Sequence, residues 1–227
     1  GYVHGLAPMG CSHACARPVA QPPVEHELSD DGDDDDAGDE DDAGGDAFDL
    51  NALDILGGML EDGNAVDNIV LEVNALKFAY NRTVTDCAAV SIRAILAHAR
   101  ELACASATDE PARKAVLQQL KKAITRWAPL LARYVTSDAD QRELIHSIED
   151  IAEALPWTVD LFQYILQALY DEDVLGEEAI LAWADDAELI PTAGNSGRAA
   201  RLKACAQFLT WLREAEEDED EDESDND

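Results

Sequence analysis

From Phe48 onward, apolar residues return every three or four positions between short polar breaks, and no stretch alternates in the manner of a strand. This spacing predicts helices over 48–61, 65–80, 84–105, 110–127, 129–136, 138–154, 158–170, 176–188 and 197–216. The punctuation agrees with the periodicity. Thr83 with Asp86, and Thr108 ahead of Pro111, have the chemistry of helix starts, whereas Asn81, Pro156 and the loop from Pro191 to Gly197 read as breaks. Upstream of Phe48 the pattern vanishes. Pro18, Pro22 and Pro23 precede SDDGDDDDAGDEDDAGGD, which has no apolar side chain larger than alanine, so burial cannot offset the entropy of ordering it.

The expected architecture is therefore all-α, a HEAT-like α-solenoid of antiparallel helix pairs joined by short turns, although no clean sequence repeat is visible. The boundaries divide the chain into a disordered acidic linker over 1–46, a helical domain over 47–216 and an acidic tail over 217–227.

Charge sharpens this picture. The 227 residues hold 49 acids against 16 Lys and Arg, for a net charge of -33. Residues 25–46 carry thirteen acids and no Lys or Arg, and residues 214–227 carry eleven acids and none, so most of the excess sits in two short segments. Repulsion of this size argues against direct nucleic-acid or anionic-membrane binding and favours a basic partner. No run nears the roughly 18 apolar residues that a spanning helix needs, which predicts a cytoplasmic, soluble protein. Scattered cysteines in odd number (Cys11, Cys15, Cys87, Cys104 and Cys205) suit a reducing compartment. The opening at Gly1, without methionine, reads as a fragment or processed piece.

Two acidic-aromatic boxes concentrate the candidate chemistry: YDEDVLGEEAILAW from Tyr170 to Trp183, and FLTWLREAEEDEDEDE from Phe208 to Glu223. On a helical wheel Leu175, Ala179, Ile180, Trp183, Ala187 and Ile190 share one face, with Glu178 and Asp185 opposite, which makes Trp183 a core residue that fixes an acidic surface. In the last helix Leu202, Cys205, Phe208, Leu209 and Leu212 form the buried stripe and Trp211 flanks it, placed to offer its ring to lysine stems and ammonium groups. The candidate partner-binding residues are Tyr170, Asp171, Asp173, Glu177, Glu178, Asp185, Trp211, Glu214, Glu216, Glu217 and Asp218, supported from beneath by Trp183, Phe208 and Leu212. Each surface pair is worth roughly 0.2–1 kcal/mol, so the grip on a lysine block would be salt-sensitive.

A third segment, NIVLEVNALKFAYN from Asn68 to Asn81, places Val66, Ile69, Val70, Val73, Leu76 and Tyr80 on one apolar face and Leu71, Ala75 and Phe78 on a second, as expected of a helix sandwiched between neighbours. Glu72 lies on a narrow strip with Asn68 and Ala79, and Asn74 on the other polar strip with Asp67 and Asn81. On geometry alone Glu72 reads as a solvated face or a structural ion pair.

The two boxes resemble those at the carboxy ends of translation initiation factor 5, initiation factor 4G and the epsilon subunit of initiation factor 2B, which share a HEAT-like helical domain. The Asn68–Asn81 segment is similar to the amino-terminal part of the catalytic domain of the 2B epsilon subunit. That resemblance implies guanine nucleotide exchange on initiation factor 2, with Glu72 and Asn74 as the exchange residues; Lys77 stands where relatives often have arginine, which differs in planar, bidentate contact. It implies docking on the lysine-rich tail of the factor 2 beta subunit and action on its gamma-subunit GTPase. It also implies association with other 2B subunits through regions that this chain lacks, since neither a nucleotidyltransferase-like domain nor hexapeptide repeats is present. The alternative is a non-catalytic adaptor of the factor 5 or 4G type that binds the same lysine-rich segment.

Covalent chemistry has no motif behind it: GxxxxGK[ST], GxSxG and HExxH are all absent. Cys11, His13 and Cys15 cluster without a second ligand pair, so no metal site and no cofactor are expected, and the chain reads as an exchange factor rather than a bond-making enzyme. His98 and His146 fall in amphipathic helices as structural or surface residues.

Overall fold

The computed structural model describes the backbone over 41–105, 112–189 and 196–224, and the side chains over 47–105, 112–186 and 197–214. All regular structure among these residues is helical: α1 (Asp41–Glu61), α2 (Val66–Ala79), α3 (Val84–Ala105), α4 (Arg113–Leu131), α5 (Asp138–Ala154), the single turn α6 (Pro156–Val159), α7 (Phe162–Asp171), α8 (Glu177–Leu189) and α9 (Ser196–Ser224). None of them is long and apolar enough to cross a membrane. Residues 1–40 of the expected linker over 1–46, the CSHAC cluster and the Thr108 start lie outside the described residues.

Packing sorts the helices into two layers. In one, α1 packs on α3, α3 on α5 and α5 on α8; in the other, α2 packs on α4, α4 on α7 and α7 on α9. Successive pairs α1/α2, α3/α4, α5/α7 and α8/α9 thus stack as the repeats of an all-α HEAT-like solenoid, in which each pair buries its apolar face against its neighbours. Phe48, Leu56, Ile69, Ile92, Leu96, Leu120, Trp127, Ile148, Phe162, Leu166 and Trp183 belong to one continuous core between the layers.

Local chemistry sets the helix boundaries. Thr83 and Asp86 form a reciprocal cap at the start of α3, with the Thr83 amide donating to Asp86 Oδ2 at 2.8 Å and the Asp86 amide to Thr83 Oγ1 at 3.1 Å. Ser137 and Asp140 do the same for α5. Gly63 closes α1 at φ +67°, where a Cβ would also lie 2.9 Å from the Arg126 guanidinium.

Several boundaries differ from the periodicity. Pro129 lies inside α4, which runs unbroken to Leu131, and residues 132–134 form a turn where a separate helix over 129–136 was expected. Near a helix end, proline removes one backbone hydrogen bond, and here burial of Leu130 and Leu131 holds the last turn in place. Pro156 follows the end of α5 at Ala154, as the expected break requires, and also opens the separate turn α6, because at the first helical position its missing N–H has no partner to lose. α1 starts at Asp41 and α9 continues to Ser224, both reaching into the acidic segments.

Candidate functional site

The two boxes meet on one side of the last two repeats. Tyr170 stands one residue before the end of α7, Asp171 ends that helix, and Asp173 occupies the following turn at φ 56°. The turn is pinned from below: Val174 and Leu175 are buried, and the Gly176 amide donates to Gln141 Oε1 of α5 at 2.6 Å. α8 then buries Ala179, Ile180 and Trp183, while Glu178 and Asp185 face solvent, as the wheel predicts; Glu177 is half-buried, and the side chains of Ala187 and Ile190 lie outside the described residues. Trp183 leans on Phe162 at 5.6 Å between ring centroids, and its indole Nε1 has no hydrogen-bond partner among the described residues.

α9 supplies the second box. Cys205, Phe208, Leu209 and Leu212 are buried and Leu202 partly so, whereas Trp211 is 51% exposed. The Trp211 ring lies nearly parallel to Phe208 (6.1 Å, 15°) and takes Tyr170 edge-on (6.0 Å, 85°), and Tyr170 also meets Phe208 edge-on at 6.0 Å. An exposed tryptophan is thereby held by two aromatic neighbours, one from each box. Arg213 adds a polar tie across the boxes, donating to Asp185 Oδ1 at 2.9 Å. Asp171, Asp173, Glu178 and Glu214 are exposed around this cluster. The side chains of Glu216, Glu217 and Asp218 lie outside the described residues, on a backbone that continues the helix.

Glu72 and Asn74 sit elsewhere, on α2 in the first repeat. Both are half-buried, and among the described residues neither side chain has a hydrogen bond or ion pair. Ile69, Val73 and Leu76 face the core as expected. The second apolar face does not become a sandwich. Leu71 is 70% and Phe78 78% exposed, with Ala75 open between them, because among the described residues α2 stands in an end pair and packs mainly on α1, α3 and α4. Lys77 Nζ lies 4.9 Å from the Phe78 centroid, while Asp67 is paired with Arg133 at 2.8 Å. Glu72 is thus a carboxylate beside an uncovered apolar stripe.

Periodicity did not anticipate a buried polar knot beneath the boxes. Arg201 of α9 donates to Glu149 at 3.3 Å and to Glu153 at 3.1 Å, with Arg198 3.5 Å and His146 3.2 Å from the Glu149 carboxylate. His98, by contrast, sits partly buried in α3 with its pKa lowered by desolvation.

Residues 140–222, which correspond to α5–α9, match the family described as W2: eIF4-gamma/eIF5/eIF2-epsilon. The chain is 35% identical over 152 residues to translation initiation factor eIF2B subunit epsilon of Dictyostelium discoideum, covering 67% of this chain and 20% of that protein. It is 30% identical over 95 residues to eukaryotic translation initiation factor 4 gamma 3 of Homo sapiens (41% of this chain, 6% of that protein) and 31% identical over 102 residues to eIF5-mimic protein 2 of Gallus gallus (45% and 23%). It spans about a fifth of the epsilon subunit's length. Its carboxy-terminal repeats are a W2 domain of the translation initiation factor type.

Proposed function

We propose that this W2-bearing chain is a guanine nucleotide exchange module for translation initiation factor 2. α7–α9 hold the lysine-rich tail of the beta subunit, and α2 engages the gamma-subunit GTPase. The observation that carries the exchange reading is the reach of the likeness to the epsilon subunit. A 152-residue match within 227 residues must extend amino-terminal of the W2 stretch and include α3, whereas the likenesses to 4 gamma and the eIF5-mimic protein are shorter. The open Leu71–Ala75–Phe78 stripe beside Glu72 supports a second contact surface there.

The two surfaces have separate tasks. Weak, screened pairs between the boxes and a flexible lysine block raise the local concentration of the GTPase near α2. Concentration alone does not speed GDP release; the module must bind the opened or nucleotide-free G domain more tightly than the GDP form. Glu72, with no partner among the described residues, is available to compete for a cation that otherwise holds phosphate, and Leu71 and Phe78 supply apolar area that is covered only in that complex.

GDP release from factor 2 tests this division. Glu72→Ala is expected to lose exchange while retaining binding, and Trp211→Ala to weaken binding and raise the concentration of factor 2 needed for exchange. Wild-type rates in both variants would overturn the assignment. The matches to eIF5-mimic protein 2 and 4 gamma 3 favour a second reading, an adaptor that holds the same tail without exchange. It predicts tight binding with no stimulation of GDP release by the unmodified chain.

A further inference from the structure

We infer that the groove between α7 and α9 is a seat that reads the backbone of an extended, lysine-bearing peptide; this rests on the proposed docking of a lysine-rich segment and assigns it a path. The groove encloses about 290 Å³ and is lined by Gln163, Gln167, Gln207, Phe208 and Trp211. Gln163 and Gln167 are one helical turn apart on α7, and Gln207 precedes Trp211 by one turn on α9, so three side-chain amides and one indole converge from facing helices. None of the three amides has a hydrogen-bond partner among the described residues.

This lining carries no formal charge, although the chain around it is strongly acidic. A seat for ammonium groups alone would place carboxylates on its walls. Amides instead offer a donor and an acceptor each, the complement of a peptide unit's C=O and N–H, and an extended chain has both groups unpaired along its edge. The Trp211 face, fixed by Phe208 and Tyr170, suits the methylene stem of a lysine. The exposed Asp171 follows Tyr170, which meets the Trp211 ring, and the exposed Glu214 lies three residues after Trp211 on α9, so the chain on either side of this ring pair is acidic. Charge then draws the peptide in, while the glutamines select an extended backbone.

The test uses dodecalysine and a copy in which alternate backbone nitrogens are methylated, a change that keeps every charge and removes half of the N–H donors. Affinities are measured for the wild-type chain and for the Gln163→Ala/Gln167→Ala/Gln207→Ala variant, whose helicity is checked by circular dichroism. The wild type is expected to bind the methylated peptide on the order of tenfold more weakly, and the variant to bind both peptides equally at that weaker level. A variant that binds unmodified dodecalysine as tightly as the wild type, or that still distinguishes the two peptides by the wild-type ratio, overturns the inference and leaves the lysine-binding reading intact. Failure of the wild type to bind dodecalysine even in dilute buffer overturns both.

Discussion

Arg201 of α9 donates through Nε to Glu149 of α5 at 3.3 Å, and both residues are almost fully excluded from solvent. The pair joins the last helix, which carries Trp211, to the middle of the solenoid. A buried charge stripped of its partner keeps its desolvation cost without the compensating attraction. Arg201→Met leaves Glu149 with Arg198 and His146 alone and is expected to destabilise the domain by about 1–3 kcal/mol. Glu149→Leu combined with Arg201→Met is expected to cost less than the sum of the two single changes. A urea-unfolding double-mutant cycle reads this coupling, and additive losses would show that Arg198 and His146 carry the contact instead.

The α5 cap gives a pH signature. Backbone amide donation from Thr136 to Asp140, followed by the Ser137 hydroxyl, holds the Asp140 carboxyl below its ordinary range. A depressed carboxyl contributes stability that is present above its unfolded pKa and disappears as pH falls through the folded one. Asp140→Ala is expected to cost about 1 kcal/mol near neutrality, and the gap to the wild type should close below the ordinary carboxylate range. Thermal unfolding at a series of pH values checks the sign.

The two tryptophans of the boxes separate stability from contact. Trp183 is buried against Phe162, so Trp183→Ala is expected to destabilise by about 3–5 kcal/mol. Trp211→Ala removes a half-exposed ring and should alter stability by about 1 kcal/mol or less while weakening binding of a lysine-rich peptide. Parallel denaturation and peptide titration distinguish the roles, and equal destabilisation by both would contradict the split.

Thiol reactivity should follow burial. Desolvation pushes Cys87 up to about 11, with Lys77 opposing, and Cys205 up to about 12, whereas Cys104 is exposed. Since the thiolate is the nucleophile, a maleimide at pH 7.5 is expected to label Cys104 in the folded domain and to reach Cys87 and Cys205 only after denaturation. Peptide mapping before and after urea reads the order.

Much of the fold is written locally. The three- and four-residue spacing determines that these segments are helices, the Thr83–Asp86 pair starts α3, and the apolar face of the first box commits Trp183 to the core, because each depends on groups within a few turns of one another. The position of Trp211 beside its own stripe, and hence its exposure, follows from the same geometry.

What lies between helices is different. No local pattern reveals that Pro129 ends inside α4, since the burial of Leu130 and Leu131 that holds it comes from other elements. The Leu71–Phe78 face looks like core in one dimension and is open in three, because α2 stands in an end pair of the described stack. Gln163, Gln167 and Gln207 are unremarkable polar positions until α7 and α9 bring them to one groove, and Asp185 meets Arg213 only because α8 and α9 pack together. The amino-acid sequence by itself determined helix type, charge and the identity of both boxes, through interactions that span one or two turns. Tertiary structure alone decided which apolar faces stay uncovered and which side chains converge, since those depend on contacts between residues distant along the chain.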